Sequence, residues 1–152
     1  ASETFTSVSA PIQYAAIEAY NGDHSPYLNA VKKILSFVSM YAYENLKSNV
    51  INITKPEGGF YLFPEFTNAK FSSSTAMCRN ILKKTGIALL PGSDFGLDSN
   101  KMLARLSYTD FNGTDFLKNT LGSKKLDNAH LEKYAPNIVD GISKLKSWSN
   151  SL

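Results

Sequence analysis

Arg105 is the residue with the most chemical potential in this sequence. It stands in Leu103-Ala104-Arg105-Leu106-Ser107-Tyr108, whose apolar members read as a half-buried strand. A guanidinium in such surroundings needs an anionic partner, and its planar fork is suited to gripping a carboxylate through two parallel hydrogen bonds. A surface arginine at a strand edge is the plain alternative. Tyr61 follows from strand alternation: if Phe60 and Leu62 face the helices, Tyr61 and Phe63 face the opposite side. Tyr61 is then either a ligand-facing aromatic or one more core ring. Gly58 and Gly59, just before it, permit a turn or a close backbone approach. They are not a phosphate cradle, because no strand-loop-helix pattern surrounds them.

Other polar residues have simpler explanations. Asp94 and Asp98 flank Phe95-Gly96 and read as solvated turn acids. His24 and His130 lack a second histidine or cysteine at ligand spacing, so no metal site is expected. Cys78 cannot form an internal disulfide, and its place on an amphipathic segment predicts a buried, inert thiol. Thr4, Thr6, Ser7 and Ser9 read as a loop with helix-capping hydroxyls.

These residues must be positioned by a mixed set of elements. Ser9 and Pro11 start a helix that Gly22 stops, with Ile12, Ala15, Ala16 and Ala19 at helical spacing. A long helix follows, with Leu28, Val31, Leu35, Val38, Ala42 and Leu46 in one apolar row and Tyr27, Ala30, Ile34, Phe37 and Tyr41 in a second. Such a wide face predicts packing against two bodies. Strands are expected over 50–54, 60–66, 87–90 (halted by Pro91 and Gly92) and 102–108. A helix is expected over 73–85 with Gly86 as its stop, and a short one through Leu121 capped by Asn112 or Thr114. The segment 126–152 reads as two helices or as one kinked near Pro136. The fold class is therefore α/β of the α+β-like kind, a small sheet covered by helices and preceded by a long helix.

Composition sets the bounds. The chain has 152 residues, 43% hydrophobic and 19% charged, which suits one globular domain plus an attached helix. Sixteen Lys and Arg against thirteen Asp and Glu leave a formal charge of +3 without an Arg-rich block, so no nucleic-acid partner is expected. No basic segment followed by an apolar run opens the chain, and no stretch is apolar enough to span a bilayer. A soluble, cytoplasmic protein with no membrane partner is the expectation.

Four segments together resemble one family. They are Ser9-Ala10-Pro11-Ile12-Gln13-Tyr14-Ala15-Ala16, Lys55-Pro56-Glu57-Gly58-Gly59-Phe60-Tyr61-Leu62-Phe63-Pro64, Leu89-Leu90-Pro91-Gly92-Ser93-Asp94-Phe95-Gly96 and Ala104-Arg105-Leu106-Ser107-Tyr108. Each alone is weak. Their order and separations, from Ser2 to about Leu121, are similar to the carboxyl-terminal half of class I/II, fold-type I, aspartate-aminotransferase-like enzymes that use pyridoxal phosphate. The resemblance implies a large-domain remnant over 1–25, a long linking helix over 26–49 and the small domain over 50–152, with the domain boundary inside the long helix. It also implies that Arg105 makes a two-pronged ion pair with the substrate α-carboxylate and that Tyr61 approaches the substrate. Amino acid and 2-oxo acid substrates, a homodimer and pyridoxal phosphate in the full-length enzyme follow from it. In the family the Thr4–Ser9 region lies near the dimer interface and the neighbouring cofactor.

Transamination also needs a lysine that holds the cofactor and then shuttles the substrate proton. In the family that lysine lies in a Ser-x-x-Lys stretch upstream of a Gly-x-Arg-x-Gly pattern, and no lysine here has that context; Lys124 and Lys125 follow Ser123 but come far too late. No catalytic and no cofactor-binding residue is therefore assigned, no cofactor is expected on this chain, and the chain alone is expected to be inactive. The missing large domain is its implied partner. A non-catalytic interaction module that keeps the fold is the alternative, against which Arg105 beside Gly58 and Gly59 weighs. The basic, Tyr-rich surroundings of Arg105 suit an acidic or an aromatic substrate.

Overall fold

The computed structural model describes residues 7–121 and 125–152; Thr4, Thr6 and Lys124 lie outside them. Local signals set the helices. Helix α1, Ala10–Asn21, has Pro11 in its first turn and ends at Gly22. Helix α2, Ser25–Leu46, begins with Pro26 and runs for 22 residues, about 33 Å. Helix α3, Ser74–Thr85, is capped at both ends: the Ser73 hydroxyl accepts from the Ala76 N–H at 3.1 Å, and Gly86 turns left-handed at φ 78°. Helix α4, Gly113–Leu121, follows Asn112, whose side-chain oxygen accepts from the Asp115 N–H at 3.3 Å, so Asn112 rather than Thr114 is the cap. The last segment is two helices, α5 over Asn128–Tyr134 and α6 over Pro136–Asn150, because Pro136 has no N–H with which to continue α5.

The strands are shorter than their apolar runs. Strand β1 is Ile51–Asn52, and the single expected strand over 60–66 divides into β2, Tyr61–Leu62, and β3, Glu65–Phe66. Strand β4 is Leu90–Pro91 and β5 is Ala104–Ser107. Antiparallel pairs place β5 between β2 and β4, with Tyr61 opposite Ser107 and Leu90 opposite Arg105, while β1 pairs with β3. An isolated bridge between Glu65 and Leu103 links the two-stranded and the three-stranded sheet. Pro91 was expected to halt its strand but lies within it. Strand β4 is at the sheet edge, where a residue without an N–H forfeits no ladder bond.

The core lies between these sheets and the helices. Ile51, Leu62, Phe66, Met77, Ile81, Leu106, Tyr108 and Leu145 are buried there. Helix α2 contributes Ala30, Ile34, Val38, Ala42 and Leu46, a strict four-residue stripe that draws on both rows read from the sequence. Through it α2 packs on α4 and α6. Its other apolar residues do not follow: Tyr27 and Leu28 are exposed, and Leu35, Phe37 and Tyr41 are half-buried.

Helix α1 has no buried residue, and Ile12, Tyr14, Ile17 and Tyr20 all face solvent. With Tyr27 and Leu28 they concentrate exposed large apolar side chains on the first two helices, the kind of surface that associates. The 152-residue chain on its own is therefore expected to self-associate. Light scattering at rising concentration checks this, and a strictly monomeric mass throughout would count against it.

Candidate functional site

Arg105 lies on the central strand of the three, half-buried, with its side chain between residues from both neighbours. Its guanidinium carbon is 4.2 Å from the ring centroid of Tyr61 on β2 and 4.6 Å from that of Phe95, in the 3-10 turn Gly92–Phe95 that continues β4. Phe60 lies 4.3 Å from Tyr61, and Phe63 meets Phe95 edge-on at 5.7 Å. Aromatic faces attract a guanidinium through their quadrupoles and leave its N–H edge available. Among the described residues, no Asp or Glu forms an ion pair with Arg105. Charge, planarity and the absence of an internal acid together equip it to receive an external anion.

Tyr61 is on the expected side: it is 41% exposed while Leu62 is buried. Phe60 is a correction. It was expected to face the helices but is 43% exposed, because it precedes the paired residues Tyr61 and Leu62 of β2 and turns its ring onto Tyr61. The glycine pair lies where Tyr108 can hold it: the buried Tyr108 hydroxyl donates to the Gly59 carbonyl at 2.8 Å, and Gly59 takes φ 74°. Burial raises the Tyr108 pKa, which keeps this phenol a donor. Gly92 is required for close approach, since a Cβ there would come within 3.0 Å of the Leu103 Cβ.

Asp94 and Asp98 are exposed, as expected of turn acids. Cys78 is buried, and its thiol is pushed up to about 11 by burial, with the Asp94 charge adding to the effect. His130 is 2.7 Å from Asp127, the cap of α5, whose carboxyl is held below its usual range by that hydrogen bond. Ser9 precedes α1 without a side-chain cap bond, contrary to the capping role expected of it. Among the described residues no group of three His, Cys, Asp or Glu could hold a metal ion, and no helix is long and apolar enough to cross a membrane. Phe95 escaped the sequence reading because it lies in a turn with no strand alternation to orient it.

Residues 1–115 match the family described as aminotransferase class I and II. The chain belongs to that family. Among curated relatives, an aspartate aminotransferase of Geobacillus stearothermophilus is 34% identical over 103 residues, covering 63% of this chain and 25% of the relative. A probable aspartate/prephenate aminotransferase of Aquifex aeolicus is 32% identical over 111 residues, covering 70% and 27%. The chain thus spans about a quarter of the length of the curated relatives it matches. Among solved structures, an alanine aminotransferase from Pyrococcus furiosus aligns with a TM-score of 0.70 at 21% identity, over 93% of this chain and 30% of that one. An aspartate aminotransferase from Thermotoga maritima aligns at 0.65 and 21%, over 98% and 31%. At these identities the structural likeness establishes the aminotransferase fold, and it extends to α6, beyond the residues matched by the family.

Proposed function

We propose that this chain is the carboxyl-terminal part of a pyridoxal-phosphate-dependent aminotransferase, which moves an amino group between an amino acid and a 2-oxo acid, and that Arg105 holds the substrate α-carboxylate. The supporting observation is the guanidinium of Arg105, flanked by two aromatic rings and without an acid partner among the described residues. Tyr61 reaches the same exposed face and contacts the substrate beside it. Two recesses of ≈ 630 Å³ each are lined without Arg105, and the carboxylate site is an open face that a second wall must complete. That wall is the large domain. Residues 1–25 belong with it, 26–49 form the link and 50–152 the small domain. The exposed face of α1 is covered in the intact enzyme, which is a cytoplasmic homodimer.

Pyridoxal phosphate, when bound, supplies the electron sink that lets the substrate α-carbon lose its proton. The side chains around Arg105 are aromatic and fit a carboxylate; none is an amine able to hold the cofactor, so its covalent attachment belongs to the large domain and the chain alone is inactive. Arg105 binds and orients the carboxylate, and the rings on either side of it exclude water from the guanidinium faces. Aspartate aminotransferases recur among the relatives, which favours an acidic amino acid over an aromatic one.

Two measurements test this reading. The full-length gene product should transfer the amino group of aspartate to 2-oxoglutarate. A product with no transfer from aspartate, alanine or tyrosine would support the non-catalytic module instead. The 152-residue chain, incubated with pyridoxal phosphate and dialysed, should retain no stoichiometric cofactor absorbance. Borohydride fixation mapping to one lysine of this chain would overturn the division of labour.

A further inference from the structure

Phe95 is an aromatic residue on a turn, 42% exposed, whose ring is spent neither on the core nor on solvent contact alone. One side of it meets the guanidinium of Arg105 at 4.6 Å, and its partner at the edge is Phe63 at 5.7 Å and 83°. The turn that carries it is fastened at several points. The Gly92 N–H donates to the Leu103 carbonyl at 2.8 Å, two residues before Arg105 on the chain. The Gly96 N–H donates to the Ser93 carbonyl at 3.1 Å, with Gly96 left-handed at φ 76°. Ser93 in turn is within 3.3 Å of the Ser74 hydroxyl and 3.4 Å of the Thr75 hydroxyl at the start of α3. The turn that carries the ring is therefore fastened both to Leu103, just before β5, and to the start of α3.

We infer that Phe95 is a positioning residue for Arg105: with Tyr61 from the opposite neighbouring strand, it fixes the guanidinium so that the N–H edge points at the substrate carboxylate. The inference rests on the carboxylate role of Arg105 proposed above. An arginine side chain has many rotamers, and a bidentate ion pair requires one orientation of its plane, so freezing that plane before the substrate arrives removes an ordering cost from binding. An acid partner could do the same only by occupying the edge that the substrate needs. Two aromatic rings orient the guanidinium while leaving its hydrogen-bond donors free.

The test uses the full-length holoenzyme with Phe95→Leu, Phe95→Met and Phe95→Tyr, each made with Arg105 intact and with Arg105→Ala. Loss of one cation–aromatic contact predicts that Phe95→Leu and Phe95→Met lower kcat/KM for aspartate roughly two- to thirty-fold, chiefly through KM. Phe95→Tyr keeps the aromatic face and should stay within about twofold of the parent. Cofactor absorbance and the thermal midpoint should not move. In the Arg105→Ala background the same substitutions should change kcat/KM by less than about twofold, since a residue acting through Arg105 has nothing left to position. Undiminished kcat/KM in both Phe95→Leu and Phe95→Met overturns the inference, as does an equal loss in the Arg105→Ala background or a fall in cofactor absorbance. If Arg105→Ala alone leaves kcat/KM at the parent value, the carboxylate reading fails and takes this inference with it. That result is distinct from silent Phe95 variants beside a costly Arg105→Ala.

Discussion

Replacing Arg105 with Ala in the full-length enzyme should lower kcat/KM by roughly one and a half to nearly four decades, the equivalent of about 2 to 5 kcal/mol for losing a partly shielded charge-assisted contact. The carboxylate would lose both hydrogen bonds and its counter-charge, and neither of the rings beside Arg105, Tyr61 and Phe95, carries a positive charge to replace them. Arg105→Lys should not rescue the loss. An ammonium keeps the charge, but it has no planar fork for two parallel bonds and no flat face to lie against Tyr61 at 4.2 Å and Phe95 at 4.6 Å. Cofactor absorbance should survive in both variants, because the rings beside Arg105 are Tyr61 and Phe95 of this chain, whereas cofactor attachment is assigned above to the large domain. Steady-state kinetics and cofactor spectra on the two variants check the expectation. Near-parental efficiency in both would remove Arg105 from the site.

The second large effect is on stability. Trp148→Ala should destabilise the protein by about 3 to 5 kcal/mol, the range for truncating a buried Trp or Phe. Trp148 on α6 is 6% exposed, meets Phe66 edge-on at 5.4 Å and stacks on Phe71 at 6.2 Å. Its indole N–H also donates to the Asn80 side chain on α3 at 3.0 Å. One ring therefore ties α6 to both the sheet and α3, and its removal leaves a cavity together with an unpaired amide oxygen. Domains are stable by only about 5 to 15 kcal/mol, so the variant should lose a large share of its margin. Trp148→Phe, which forfeits the hydrogen bond but keeps a ring, should cost much less. Urea titration of the three proteins measures this. A Trp148→Ala loss below about 1 kcal/mol would mean that α6 does not depend on the contact.

Helix punctuation was legible in the sequence because its causes are local. Ser73 and Gly86 bound α3 by accepting a backbone hydrogen bond and by adopting a left-handed turn, both properties of the residue itself. Pro11 marks a helix start for the same kind of reason. The half-buried strand position of Arg105 and the outward side of Tyr61 were also legible, the first from a charge set among apolar neighbours and the second from its alternation with Leu62. The family was legible because four segments recur in order, though none decides it alone.

Everything that depends on a distant partner was decided by the tertiary structure. The run 60–66 looks like one strand, yet Leu62 pairs with Leu106 and Phe66 pairs with Ile51, so the run has to divide at the intervening Pro64. Pro91 stays in a strand only because β4 happens to lie at the edge. The two apolar rows on α2 merged into one buried stripe because α4 and α6 cover a single line along it. Phe95 and Tyr61 are 34 positions apart in the chain and both meet Arg105, since β5 pairs with β2 on one side and β4 on the other. Residue types determine which side chains can bind a carboxylate or stack on a guanidinium. Which of them meet is set by strand pairing, whose hydrogen bonds join segments that no local pattern relates.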